Sequence, residues 1–380
     1  MVKFSVLGKI TLTSIVLQAI ILTVLEAFVI YFHVNFVSQF QLTTIGDGIS
    51  QADLIYHSIF ILSLFFQILL TVDALWHRNS VQIIALVIFN FLSLAYAGIQ
   101  LYQHQILEDR GTENATYAPN NPIFSVYDRN APKIYYQDRM RPVEHTIIGL
   151  ISGFSVYLAI MSYLLSKEFG WENYKTYSAD IRVRDAYWNL TILQTLIKMD
   201  IFFICTYAIQ LIPSQQIGYY SSLIEIVLVF FCGTFMLLMA WFAVKMELKY
   251  LLLSVINIYS ISLIYWAFRL ITINVHFSNT TTDPYEYTRR FLSFFLSVIL
   301  VLVAFTVYFS VICFRNMMRG IYVLTVFGQN EDDQGGSSYL GASSYLGTNN
   351  SESPSTKHES KRQSAIRQQQ LLAKERENDK

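Results

Sequence analysis

The sequence predicts an all-α polytopic membrane protein, a bundle of about eight transmembrane helices with a disordered C-terminal tail. Of the 380 residues, 53% are apolar and only 14% are charged, whereas soluble domains carry about 25% charged residues. The apolar residues form continuous runs of about 20, the length that an α-helix needs to cross a lipid bilayer. Because these runs do not alternate with polar residues, strands of a membrane β-barrel are excluded. A lipid bilayer is the expected environment.

Eight runs are long enough to span the bilayer. In chain order they are 11–32, 54–75, 81–103, 145–165, 189–212, 217–242, 249–271 and 291–313. The first run is too long for the apolar region of a cleavable signal peptide and is expected to remain as a span. The fifth is interrupted by Lys198 and Asp200. All seven prolines lie outside the eight runs, as expected because proline costs a helix interior about 3 kcal/mol.

Lys and Arg in short loops predict that both termini lie in the cytosol. Residues 1–10 and the predicted cytosolic segment 166–188, which we expect to form an interfacial helix, are rich in Lys and Arg. The long opposite loop 103–144 and the pair Arg289 and Arg290 are counter-signals. In this orientation the glycosylation sequons at Asn114 and Asn279 both face the lumen. The alternative is that these short patterns occur by chance.

Residues 321–380 are predicted to form a cytosolic low-complexity tail, because Ser, Gly, Asn, Gln and charged residues replace the apolar ones after Gly328. The tail is a candidate for binding cytosolic trafficking partners, and the alternative is a simple solvated tail. Lys+Arg and Asp+Glu both number 27, which argues against nucleic-acid binding. The seven histidines are scattered without metal-ligand spacing, and no catalytic motif is present. We therefore predict neither an enzyme nor a metal or cofactor site. The sequence indicates no oligomeric state.

Charged side chains inside spans cost about 2.5–3.5 kcal/mol on insertion scales and are functional candidates by default. The candidate intramembrane polar site consists of Glu26, Lys198, Asp200, Glu225 and, near a span end, Arg269. Lys198 and Asp200 are two residues apart and so face different partners. Lys198 is expected to pair with Glu225 or Glu26, and Asp200 beside Glu225 would create a proton-accepting site. The alternative is a buried ion pair that only fixes helix register.

The fourth span contains Gly149-x-x-x-Gly153. Small residues at this spacing let two helices approach closely. We expect packing within the chain, with a dimer face as the alternative.

Three stretches carry a family resemblance. Residues 168–180 read Glu-Phe-Gly-Trp-Glu-Asn-Tyr-Lys-Thr-Tyr-Ser-Ala-Asp, residues 196–203 read Leu-Ile-Lys-Met-Asp-Ile-Phe-Phe, and residues 73–82 read Asp-Ala-Leu-Trp-His-Arg-Asn-Ser-Val-Gln. They resemble the fungal UPF0658 Golgi apparatus membrane protein family, over most of residues 11–320. The resemblance implies fungal origin and residence in the Golgi membrane, but no activity. It places Lys198 and Asp200 within a motif of the family.

Two functions remain open. The first is a small-molecule or proton-coupled transporter that uses the buried charges. It predicts a hydrated cavity containing Lys198, between the first, fifth and sixth helices. The second is a non-transporting trafficking or scaffold protein, which acts through residues 166–188 and the tail. It predicts a dry, close-packed bundle.

Overall fold

The computed structural model describes residues 5–41, 44–106, 116–117, 134–176, 181–212, 222–275, 285 and 288–321. The chain divides into two units, Met1–Val326 and Phe327–Lys380, and all the described residues belong to the first. The predicted tail, apart from Ile321, lies outside the described residues. The sequons at Asn114 and Asn279 lie outside them too, so their glycosylation stays a prediction.

Eight described helices are long and apolar enough to cross a membrane, which confirms the predicted fold class. They are α1 (Val6–Val37), α2 (Thr44–Trp76), α3 (Ser80–Ile106), α4 (Arg141–Thr176), α5 (Ile181–Gln210), α6 (Ser222–Lys245), α7 (Lys249–Asn274) and α8 (Arg289–Met318). A π-helical turn, Tyr136–Met140, precedes α4. Two-residue strands, Phe40–Gln41 and Thr116–Tyr117, pair antiparallel.

Several helices extend beyond the predicted spans. Ser5 caps α1, because its hydroxyl accepts a hydrogen bond from the Gly8 amide at 3.0 Å. Residues 166–176 continue α4 and residues 181–188 begin α5. The expected separate interfacial helix over 166–188 is therefore wrong for these described residues.

The helices form two groups of four, each closed on itself. In the first group α1 packs on α2, α2 on α3, α3 on α4, and α4 returns to α1. In the second, α5 packs on α6, α6 on α7, α7 on α8, and α8 returns to α5. The groups meet where α5 packs against α2 and α3, which makes α5 the most buried of the eight spans.

A hydrogen-bonded clamp joins all four helices of the first group. Asn90 on α3 accepts hydrogen bonds through Oδ1 from Gln18 on α1 at 2.9 Å and from Gln67 on α2 at 3.1 Å. Its amide nitrogen donates to Ser155 Oγ on α4 at 2.7 Å. All four side chains are buried. Polar groups need such partners in hydrocarbon, since no water is there to replace them.

The contact between the two groups is aromatic. Phe202 on α5 stacks on Phe66 of α2 with a centroid distance of 4.8 Å and meets Phe89 of α3 edge-on at 5.1 Å. Tyr96 on α3 meets Phe295 of α8 edge-on at 5.7 Å. Aromatic pairs in these geometries contribute about 0.5–1.5 kcal/mol each beyond area burial.

The outer surface of the bundle is apolar. Leu69 is 67% exposed, Ile224 72% and Ile264 72%, and many other large apolar side chains lie on the same outward faces. Soluble monomers rarely expose contiguous apolar patches of this extent. The helices therefore indicate a lipid bilayer around them.

The glycines of α4 do not make the expected close helix contact. Gly149 and Gly153 are exposed, and a Cβ atom added to either would meet no atom within 4 Å. Packing of these glycines within the chain is therefore wrong, while the dimer face stays a prediction. The close approach lies elsewhere: a Cβ at the buried Gly233 of α6 would lie 2.9 Å from Ile204 Cγ2 of α5.

We expect Gly233→Ala to destabilise the bundle, because the new methyl group overpacks the contact with the stiff Ile204 side chain. Overpacking costs about 1–3 kcal/mol, and the gain in helix propensity returns only about 1 kcal/mol. Thermal unfolding of the detergent-purified chain measures the effect. Gly153→Ala is the matched control and should not lower the unfolding temperature. An equal loss in both variants would contradict the assignment.

Candidate functional site

Lys198 pairs with Asp73, not with Glu225 or Glu26 as expected. Its ammonium group contacts Asp73 Oδ2 on α2 and donates to Gln82 Oε1 on α3 at 3.2 Å. Gln82 in turn donates to Asp73 Oδ2 at 2.6 Å. Asp73 lies near the last turn of α2, so the long Lys198 side chain reaches toward a helix end, where both side chains are partly exposed. The pair ties α5 to α2 and α3.

Asp200 and Glu225 do not share one site. Asp200 is buried, and its Oδ2 accepts a hydrogen bond from Thr306 on α8 at 2.7 Å. Its other carboxyl oxygen has no hydrogen-bond partner among the described residues. Glu225 instead pairs with Arg269 of α7, so the proton-accepting pair expected from the sequence is wrong.

Arg269 and Glu225 form a buried ion pair between α7 and α6. Arg269 Nη2 donates to Glu225 Oε2 at 2.6 Å, and the hydroxyls of Tyr207 and Tyr265 donate to Glu225 Oε1 at 3.2 and 3.0 Å. The Tyr285 hydroxyl lies 3.4 Å from Arg269. Both carboxylate oxygens of Glu225 therefore have donors and its charge faces a guanidinium, which is the arrangement of a structural pair.

Glu26 leads to a cluster that the sequence did not predict. Six titratable residues from the four helices of the first group meet there and are each at most 6% exposed. This histidine cluster consists of Glu26, His33, Asp53, His57, His104 and Glu144. Of the five predicted site residues, only Glu26 belongs to it; the other four lie in the three places described above.

Helical spacing brings the six residues to one end of the first group. Glu26 and His33 lie seven residues apart on α1, and Asp53 and His57 lie four apart on α2, so each pair shares one helix face. His104 lies in the last turn of α3 and Glu144 in the first turn of α4. Because consecutive helices are antiparallel, the end of α1, the start of α2, the end of α3 and the start of α4 coincide.

Asp53 is the centre of the cluster. Its Oδ2 lies 2.7 Å from His104 Nε2, 3.0 Å from His33 Nδ1 and 3.6 Å from His57 Nε2. The two Nε2 atoms of His57 and His104 lie 3.0 Å apart. Four donor atoms from three helices therefore converge on one small volume.

The outward-facing nitrogen of each histidine has its own partner. His57 Nδ1 lies 2.6 Å from Glu26 Oε2, and His104 Nδ1 contacts Glu144 Oε1. His33 Nε2 lies 3.0 Å from the Ser50 hydroxyl. A ring proton held by each outer partner leaves the inner nitrogens with free lone pairs. Such an inner shell can bind a small cation. His33, Asp53 and His104 offer ligand atoms within 4.8 Å of one another, close enough for one metal ion.

Two small cavities lie among the described helices. One of about 10 Å³ borders the cluster and is lined by Glu26, His57, Gln100 and Glu144 among others; a single water needs about this much space. The other, of about 20 Å³, lies in the aromatic contact between the two groups. Lys198 lines neither, so neither matches the hydrated cavity that the carrier hypothesis predicted.

The signal that would have found the cluster is the spacing of its members. Glu26-x₆-His33, Asp53-x₃-His57 and Gln100-x₃-His104 each place two polar residues on one face of a helix. Gln100 belongs to the same environment, because its amide contacts both Glu26 and His57.

The chain is similar to one curated protein with a known compartment. It is 23% identical over 318 residues to a UPF0658 Golgi apparatus membrane protein of Schizosaccharomyces pombe. The aligned region covers 82% of this chain and 87% of the relative. The similarity to this UPF0658 protein is distant. This confirms the resemblance seen in the sequence. No protein-family model and no solved structure matches the chain.

The chain thus has eight candidate membrane spans and is similar to a Golgi apparatus membrane protein. The relative's name gives a compartment and no activity, so the chemistry has to be argued from the charged groups.

Arg269→Met should destabilise the chain strongly, because it leaves the Glu225 carboxylate buried without its cation. Breaking a buried pair costs about 3–5 kcal/mol. Adding Glu225→Gln should restore most of the lost stability, since the remaining amide needs only the tyrosine hydroxyls. Unfolding temperatures of the two single variants and the double variant in detergent measure the coupling. Additive losses would show that the two residues are not a structural pair.

Proposed function

We propose that this chain is a carrier of the Golgi membrane that binds a small cation in the histidine cluster. The observation that carries the proposal is the cluster of three histidines and three carboxylates, all buried, between α1, α2, α3 and α4, in which all three histidines surround Asp53. Chains of Asp, Glu and His within spans mark ion and proton pathways in transporters. The similarity to a Golgi apparatus membrane protein supports the compartment. In this proposal both termini lie in the cytosol and the protein catalyses no reaction.

Charge supports a cation as the ligand. With neutral histidines the cluster holds three carboxylates and no Lys or Arg among its members. Uncompensated negative charge in a low-dielectric interior is costly. A bound cation offsets this cost, whereas an anion would add to it.

The division into two groups of helices favours a carrier over a protein that only binds the cation, because transport requires one part of the bundle to move against another. The site belongs to the first group alone, and the contact with the second group is largely aromatic. Packed aromatic surfaces can part without leaving buried hydrogen-bonding groups unsatisfied. The polar tie between α5 and the first group is the partly exposed cluster of Lys198, Asp73 and Gln82.

Transport is tested with the full chain in sealed lipid vesicles. Internal indicators report uptake of protons, Na⁺, K⁺, Ca²⁺ and Zn²⁺ under an imposed gradient. We expect at least one of these cations to enter faster than in protein-free vesicles, and Asp53→Asn to slow that uptake at least tenfold. His145→Gln is the matched control, because this exposed histidine of α4 adjoins Glu144 and, among the described residues, hydrogen-bonds the Arg141 carbonyl alone. Uptake of no cation by the wild-type chain would contradict the carrier.

A second candidate function is a non-transporting scaffold. The small size of the two cavities favours it, because a scaffold needs only a close-packed bundle. It predicts that deletion of residues 322–380 abolishes the cellular phenotype of the full chain while Asp53→Asn has no effect. The carrier predicts the reverse. Complementation of a null strain by each variant, with localisation followed by microscopy, separates the two.

A further inference from the structure

We propose that the histidine cluster is a binding site for one divalent metal ion of the zinc class. His33, Asp53 and His104 are its ligands, and His57 supplies the fourth donor. The inference rests on the proposed function in that it names the cation for the same cluster.

The spacing of the donor atoms fits a tetrahedral ion. Zinc bonds of about 2.0–2.1 Å at tetrahedral angles put neighbouring ligand atoms about 3.3 Å apart. The separations from Asp53 Oδ2 to His104 Nε2, His33 Nδ1 and His57 Nε2 are 2.7, 3.0 and 3.6 Å. The separation between His57 Nε2 and His104 Nε2 is 3.0 Å. These distances bracket the tetrahedral value, so small side-chain shifts suffice to seat an ion.

Two of the four inner residues, His33 and Asp53, lack hydrogen bonds at their inward-facing atoms within the described part of the chain, whereas His57 Nε2 and His104 Nε2 lie within hydrogen-bond distance of each other. His33 Nδ1 and both carboxylate oxygens of Asp53 have no aligned hydrogen-bond partner among the described residues, although both side chains are fully buried. Leaving a buried polar group unsatisfied costs about 1–3 kcal/mol, and more for a charged one. His33 Nδ1 and Asp53 Oδ2 lie close together without an N–H directed from one to the other, as two ligands of the same ion would.

The outer contacts are those of a metal centre's second layer. Metal-binding histidines usually donate their other ring N–H to a carboxylate or another acceptor, which fixes the ring and strengthens the ligand. Glu26 holds His57, Glu144 holds His104, and the Ser50 hydroxyl lies 3.0 Å from His33 Nε2. Each of the three rings therefore has one nitrogen occupied outward and one aimed inward.

The donor types select among metals. Three imidazole nitrogens with one carboxylate suit zinc and its neighbours in the first transition row. Mg²⁺ and Ca²⁺ prefer shells of oxygen alone, and no cysteine of the described chain lies among the inner donors. An ion of charge +2 also offsets most of the negative charge of the three carboxylates in the cluster.

The test is Zn²⁺ binding to the full-length protein, purified in detergent and stripped with a chelator. We expect one Zn²⁺ per chain by elemental analysis, unaffected by excess Mg²⁺ or Ca²⁺. Competition with a zinc-chelating dye should show at least 100-fold weaker binding for Asp53→Asn and for His33→Gln. Glu144→Gln should weaken binding by about 10–100-fold, as expected for an outer partner, and His145→Gln should leave it unchanged. Co²⁺ in place of Zn²⁺ should give the visible absorption bands of tetrahedral coordination.

Folding is checked in parallel by size-exclusion profile and by unfolding temperature. The Co²⁺ spectrum of the wild-type chain tests the site even where a variant fails to fold. Absence of stoichiometric Zn²⁺, or equal binding in folded Asp53→Asn and His33→Gln, overturns the metal site. If another cation enters vesicles while Zn²⁺ does not bind, the metal inference falls and the carrier stands. If Zn²⁺ binds but no cation is transported, the metal site stands and the carrier falls.

Discussion

The structure of the first four helices depends on one constraint: polar side chains buried in a membrane protein must find their partners inside it. Asn90 meets this constraint by bonding one residue from each of the other three helices of its group. The clamp fixes rotation and depth for all four helices at once. His104 lies fourteen residues further along α3, about 21 Å at 1.5 Å per residue. The alignment of the cluster at the helix ends is thus set from the middle of the bundle.

The Glu225–Arg269 pair and the histidine cluster differ in how their buried charges are compensated. In the second group, Glu225 finds a guanidinium and two hydroxyls, and nothing in this arrangement requires a ligand. In the first group, acids outnumber permanent cations, and Asp53 has neighbours that approach it without donating to it. A purely structural role is served better by the arrangement around Glu225, because a half-satisfied polar network is less stable than an apolar core. The proposed cation would account for this difference.

Much of the fold follows from hydropathy, and little of the site does. Runs of apolar residues are enough to predict eight helices, because the bilayer fixes the length of each. The cluster escaped the same reasoning for a geometric reason. The predicted spans began at Leu54 and His145 and ended at Gln103, so Asp53, His104 and Glu144 each fell one residue outside. Their helices continue past those limits. For Lys198, the two-residue offset from Asp200 indicated different partners, but the choice of Asp73 depends on how α5 packs on α2, which no local pattern contains.

The closure of the first group by α4 has a consequence for how the chain is made. Helices enter the membrane in order, and the last outer partner of the cluster, Glu144, arrives with the fourth. Until then His104 lacks that partner, and α1 lacks the neighbour that completes the ring. A nascent chain halted after α3 therefore carries an open, charged seam toward lipid. Insertion of α4 therefore completes both the site and the first group of helices.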